Sequence, residues 1–183
     1  VLLLAMLLLM SAFRSVLIPV KAAVMALVSF LAAYGATIAI FQWGWMKDVV
    51  GLTDTVPIQT FFPLMLFAIL FGLSMDYEVF LISRVREEYE DSGEARPAAI
   101  AGLSTTGKII LSAGLIMTSV FVAFATNPSP AVKQMALGLA IAIAIDALII
   151  RLIVVPALLQ IFGKSAWWLP KWIDRILPRI KVS

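Results

Sequence analysis

Residues 60–83 read TFFPLMLFAILFGLSMDYEVFLIS. From Thr60 to Met75 the run carries no charge, and then Asp76 and Glu78 interrupt it before apolar residues resume. A helix needs about 20 mostly apolar residues to cross a bilayer, so this stretch predicts a spanning helix with two acids inside the membrane. The fold class and the search for function both start there.

The rest of the chain divides in the same way when its charge-free gaps are read. Val1 to Phe13 is the first gap; at about 1.5 Å per residue it is roughly 20 Å long, short of a hydrocarbon core of about 30 Å. It lacks a basic n-region and a cleavage site, which argues against a signal peptide. The expectation is a helix whose first part is missing, and hence a fragment. Ala22 to Met46 is long enough to span, with Gln42, Trp43 and Trp45 at its far interface. After the Thr60–Ser83 helix, Ser83 to Asp91 continues it out of the membrane, and Ser92-Gly93 ends it. A fourth helix is expected over about Lys108 to Thr126, stopped by Asn127-Pro128-Ser129-Pro130. A fifth covers about Ala131 to Arg151, followed by a bent extension, Leu152 to Phe162, that Pro156 interrupts. The predicted fold is all-α: a polytopic transmembrane bundle of about five helices, the first truncated, over residues 1–162.

Residues 163–183 read differently. Leu169, Trp172, Ile173, Ile176, Leu177 and Ile180 recur at helical spacing, with Lys171, Arg175 and Arg179 on the other face. With Trp167 and Trp168 ahead of it, this predicts an amphipathic helix lying on the membrane surface. Lys and Arg set the orientation. One side receives Arg14, Lys21, Arg84, Arg86, Arg96, Lys108 and the tail cations, with Arg151 nearby as a snorkelling anchor, while the other has Lys47 and Lys133. The cation-rich side, and with it the C-terminus, is expected to be cytoplasmic.

Composition supports the membrane reading. Hydrophobic residues make up 62% of the 183 residues and charged residues 14%, against roughly 45–50% and about 25% in soluble proteins. Mean hydropathy is +1.04. There is no Cys and no His, which excludes disulfides, thiol nucleophiles, the usual zinc sites and His-based acid–base chemistry. The net charge is +3, and the pattern contains no nucleic-acid-binding signature. Neither a metal nor a cofactor nor an enzymatic reaction is expected.

The chemistry lies with acids inside the membrane, where an Asp costs about 3 kcal/mol at a helix centre and usually faces a bundle interior. Asp76 lies about 12 Å along the helix from Arg84. Gly72, one turn earlier on the same face, removes bulk where a helix or water can approach. Tyr77 can donate or accept a hydrogen bond. A carboxyl in such a place can bind and release a proton, as a proton-driven machine requires; the structural alternative is a helix–helix hydrogen bond. Glu78 is about 200° around the helix from Asp76, nearer the interface, and open to water. Asp146 is expected at a similar depth to Asp76, paired either with a small-residue helix such as the fourth or with Arg151. Ser112 stands among the small and hydroxyl residues of the fourth helix, together with Gly114, Thr118 and Ser119, where packing is the default role and a proton path the functional one. The possible relay or packing supports are thus Gly72, Glu78, Ser112 and Asp146.

The segment from Phe71 to Arg84, with Asp76-Tyr77-Glu78 at its centre, resembles the second-half signature of the MmpL family within the resistance–nodulation–division superfamily of transporters. Phe13-Arg14-Ser15, Asp146-Ala147 with Arg151 and Pro156, and Trp167-Trp168-Leu169-Pro170 agree with it in the same order. The resemblance implies a proton-motive-force-driven exporter of lipids or hydrophobic small molecules in a bacterial inner membrane. It implies twelve helices in two halves, each with an extracytoplasmic domain, so that this chain supplies the last helices of the second half. Its partners would be the N-terminal half of the same transporter, membrane lipids and a hydrophobic substrate. Asp76 and Tyr77 match the family's proton-relay pair. Two rivals remain at this point. An intramembrane aspartyl protease is disfavoured because the order is Asp-Tyr and Ile143-Ala144-Ile145-Asp146 lacks the glycines of a Gly-x-Gly-Asp motif. A sterol-sensing-like sensor or scaffold shares the helical architecture without transport.

Overall fold

The computed structural model describes residues 2–163 together with Trp168. Among them there is no strand, and the chain is helical almost throughout: α1 (Leu2–Phe13), α2 (Leu17–Phe41), the short α3 (Lys47–Val50), α4 (Phe62–Ser92), α5 (Ala95–Phe124), α6 (Pro130–Ala144), a π-helical segment (Ile145–Val154) and α7 (Val155–Phe162). Four stretches are long and apolar enough to cross a membrane: Leu17–Phe41, Phe62–Ser92, Arg96–Phe124 and Pro130–Phe162. The expected surface helix of the tail lies outside the described residues.

Several boundaries differ from the sequence reading for local reasons. Helix α2 begins at Leu17 because the Ser15 hydroxyl accepts the backbone N–H groups of Leu17 and Ile18 at 3.2 and 3.3 Å, an N-cap that satisfies otherwise orphaned donors. Lys21 therefore sits inside the helix rather than in a loop. Helix α4 runs its full 31 residues, about 46 Å, and stops where expected. Gly93 takes a left-handed φ of 69° and donates its N–H to the Tyr89 carbonyl at 2.9 Å. Helix α5 starts at Ala95, not near Lys108, with Pro97 in the first turn where its missing N–H costs nothing.

The largest departure is at Pro156. Instead of a break, α6, the π segment and α7 form one helical run. A proline ring inside an α-helix collides with the carbonyl four residues earlier, here Leu152. Widening the helix to i→i+5 hydrogen bonding upstream relieves that collision, and Pro156 then enters the first turn of α7.

The chain divides into two compact units, each described on its own. One comprises the described parts of Val1–Met25, Met75–Ile110 and Arg151–Ser183. Ile18, Leu81, Ile82, Val85, Ile110 and Val155 are buried in it. A Cβ on Gly102 would lie 2.6 Å from a Val85 methyl and 3.0 Å from its backbone, so α4 and α5 meet there at a distance only glycine allows. The second unit, Ala26–Ser74 and Leu111–Ile150, has a core of Ala33, Phe62, Leu66, Leu70, Leu139 and Ala142. Phe62, Leu66 and Leu70 are one turn apart and form a single stripe of α4. Tyr34 stacks on Phe62 with centroids 6.1 Å apart. Gln134, fully buried, donates to the Pro57 carbonyl at 2.9 Å and accepts the Gln59 N–H at 3.2 Å, tying the loop before α4 to α6.

Candidate functional site

Helix α4 positions two acids on different sides. Residues 64, 65, 68, 69, 72, 76, 79 and 80 of α4, and Phe61 just before it, are exposed, whereas Phe62, Leu66, Leu70, Ser74 and Glu78 are buried. Gly72 and Asp76 thus lie on an open stripe otherwise made of Phe61, Leu64, Met65, Ile69, Val79 and Phe80. Asp76 was expected to face a bundle interior; in this chain it faces outward, and among the described residues it makes no hydrogen bond or ion pair. Ser112 is likewise exposed, on α5.

The acid that does face the interior is Glu78, the 200° offset from Asp76 carrying it to the far side of the helix. It is 3% exposed and does not reach water as the sequence suggested. Lys21 Nζ of α2 lies 2.7 Å from Oε1, and Arg151 Nη1 of the π segment donates to Oε2 at 3.1 Å. Both cations are buried, Lys21 at 6% and Arg151 at 2% exposure. The Arg151 guanidinium also lies over the half-buried Tyr77 ring, 5.7 Å from its centroid. Arg151 is accordingly no snorkelling anchor and Lys21 no loop cation. Both were read as surface charges because each stands near the end of an apolar run. The signal that identifies them is Glu78 itself, since a carboxylate carried into a bundle needs cations carried in with it.

Asp146 belongs to the other unit and is also buried. Its Oδ1 accepts the hydroxyls of Ser74 on α4 at 3.1 Å and Ser29 on α2 at 3.3 Å. The small-residue helix is nearby as well, for a Cβ on Gly114 of α5 would come within 2.6 Å of the Ala147 Cβ. Ser29 and Ser74 drew no notice in the sequence because single serines are common in membrane helices; only a buried acceptor gives them meaning. Asp146 lies in the first turn of the π-helical segment, and such segments frequently occur at functional sites.

Chemically, the first unit offers an exposed carboxyl followed in sequence by a half-buried phenol, and a buried carboxylate between two cations. The second offers a carboxyl stabilised by hydroxyl donors. Among the described residues no group of three acids could hold a metal ion.

A family model described as the MMPL family matches residues 1–179. The chain is 42% identical over 178 residues to the mycolic acid-containing lipids exporter MmpL11 of Mycolicibacterium smegmatis, a match covering 97% of this chain and 19% of that protein. It is 42% identical over 176 residues to the heme uptake protein MmpL11 of Mycobacterium tuberculosis, covering 96% and 18%. The trehalose monomycolate exporter MmpL3 of M. smegmatis is 37% identical over 172 residues, covering 92% and 17%. The chain thus spans less than a fifth of the length of these relatives.

Proposed function

Since this chain belongs to the MMPL family and is a multi-pass membrane protein, we propose that it is the second-half transmembrane bundle of a proton-motive-force-driven exporter of lipids or hydrophobic small molecules. The observation that carries the reading is the contrast between the two acids of α4. Glu78 is buried between two cations, each within ion-pair distance of one of its oxygens. Asp76 has no such partner among the described residues, stands on an open apolar stripe and is followed by Tyr77. A carboxylate on such a stripe is costly in lipid, which favours a second set of helices covering it, as the N-terminal half of the same transporter would.

In this mechanism Asp76 binds a proton from the extracytoplasmic side and releases it to the cytoplasm, with the Tyr77 hydroxyl sharing the proton. Neutralising Asp76 removes the cost of packing its face against apolar helices; ionising it restores that cost. The alternation changes how the halves pack, and the extracytoplasmic domains convert the change into export. The relatives' names, two lipid exporters and a heme uptake protein, support a hydrophobic or amphiphilic cargo. The distribution of Arg and Lys supports a cytoplasmic C-terminus, and the mycobacterial relatives support a bacterial inner-membrane location.

The test is proton flux into vesicles holding the full-length transporter under an imposed pH gradient, for wild type, Asp76→Asn and Tyr77→Phe. Loss of flux in Asp76→Asn with normal insertion is expected. Undiminished flux would remove Asp76 from the mechanism, and absence of flux in the wild type itself would favour a non-transporting sensor or scaffold.

A further inference from the structure

We propose that Arg151 is a positioning residue for Tyr77, held by the Glu78–Lys21 pair; the inference rests on the proton-relay reading above. Three charges in membrane helices are a poor device for stability alone, because replacing a buried ion cluster by apolar groups of similar volume is often neutral or stabilising. The geometry gives them another use. Arg151 contacts two consecutive residues of α4: its Nη1 meets Glu78 Oε2 at 3.1 Å, and its guanidinium covers the Tyr77 ring at 5.7 Å. Lys21 occupies the other oxygen, Oε1, at 2.7 Å. The carboxylate therefore has one arm for each cation, and Arg151 is fixed over the ring.

Two consequences follow for Tyr77. Its ring is confined, so the hydroxyl is aimed rather than free to rotate between rotamers. A cation on the ring face also draws on the ring's electron density, which makes the hydroxyl a stronger donor toward a carboxylate and a weaker acceptor. Both suit a phenol that takes part in the relay centred on Asp76. Lysine cannot replace arginine here, because an ammonium is a compact point charge without the planar face that stacks on an aromatic ring.

The experiment uses the full-length transporter in vesicles and the infrared C–O band of Tyr77, isolated by subtracting the Tyr77→Phe spectrum. In Arg151→Lys that band should shift, and flux should fall about thirtyfold, the size of a desolvated cation–π contact, with insertion unchanged. Arg84→Lys, at an exposed pair, should do neither. A second variant, Lys21→Met/Glu78→Gln/Arg151→Met, removes the cluster without leaving an unbalanced charge among its three members. It should insert normally and transport as poorly as Arg151→Lys. An unshifted band in Arg151→Lys, or wild-type flux in the triple variant, would overturn the inference while leaving the relay intact. Asp76→Asn measured in the same vesicles separates the two, since undiminished flux there removes the relay reading itself.

Discussion

At the scale of single residues, the acids at 76 and 78 should respond in opposite ways to substitution. Glu78→Ala leaves Lys21 and Arg151 buried without their shared carboxylate, and should cost about 3–5 kcal/mol of stability, read as a lowered unfolding midpoint in detergent. Asp76→Asn touches a side chain exposed in this chain and should shift this chain's stability by no more than about 0.5 kcal/mol, while abolishing proton flux in the full-length transporter. A large loss of stability in Asp76→Asn would place that carboxyl in a structural role. Asp146 falls between the two. Asp146→Asn keeps an oxygen for the Ser29 and Ser74 hydroxyls, whereas Asp146→Leu takes the acceptor from both, at about 1–3 kcal/mol for the buried Ser29 donor. The same unfolding assay should therefore rank leucine well below asparagine; equal effects would argue that the hydroxyl contacts contribute little.

At the scale of elements, the π segment is the feature with the clearest cause. Pro156→Ala supplies an N–H for the Leu152 carbonyl and removes the ring that collides with it, so residues 145–154 should relax toward α-helix in a solved structure of the variant. Ten π residues surviving intact would mean that packing, not Pro156, sets the geometry. Elements were legible in the sequence to the degree that composition alone determines them. The apolar runs gave the existence and order of the spanning helices, and Ser92-Gly93 gave the end of α4. The start of α5 was hidden because Arg96, Pro97 and Lys108 look like loop residues, although one proline in a first turn and two cations at a membrane edge are both compatible with helix. Of the site, Asp76, Tyr77, Glu78 and Asp146 stood out by their charge or chemistry in apolar surroundings. Their partners Lys21, Arg151, Ser29 and Ser74 did not, because pairing across helices is a property of packing and leaves no trace in local spacing.

At the scale of the whole molecule, the proposed sidedness can be tested directly because the chain contains no cysteine. A single cysteine at Ser92, in the loop-side end of α4, should react with an impermeant thiol reagent only when it is given access to the cytoplasmic face. One at Asp48, in the α3 connection, should react only from outside. In the full-length protein any cysteines elsewhere would first be replaced. Labelling of both positions from one side would invert or break the orientation drawn from the cations.

The meeting of Gly138 with Phe62 carries a consequence for the history of such chains. A Cβ at 138 would stand 2.5 Å from the Phe62 ring and 3.3 Å from the Thr37 hydroxyl, and all three residues belong to the interior of one unit. Position 138 cannot gain bulk alone: a larger residue there has to be preceded or accompanied by a smaller one at 62. Related sequences should therefore occupy these positions in paired combinations, large with small, and intermediates carrying bulk at both should be missing from the lineages that connect them.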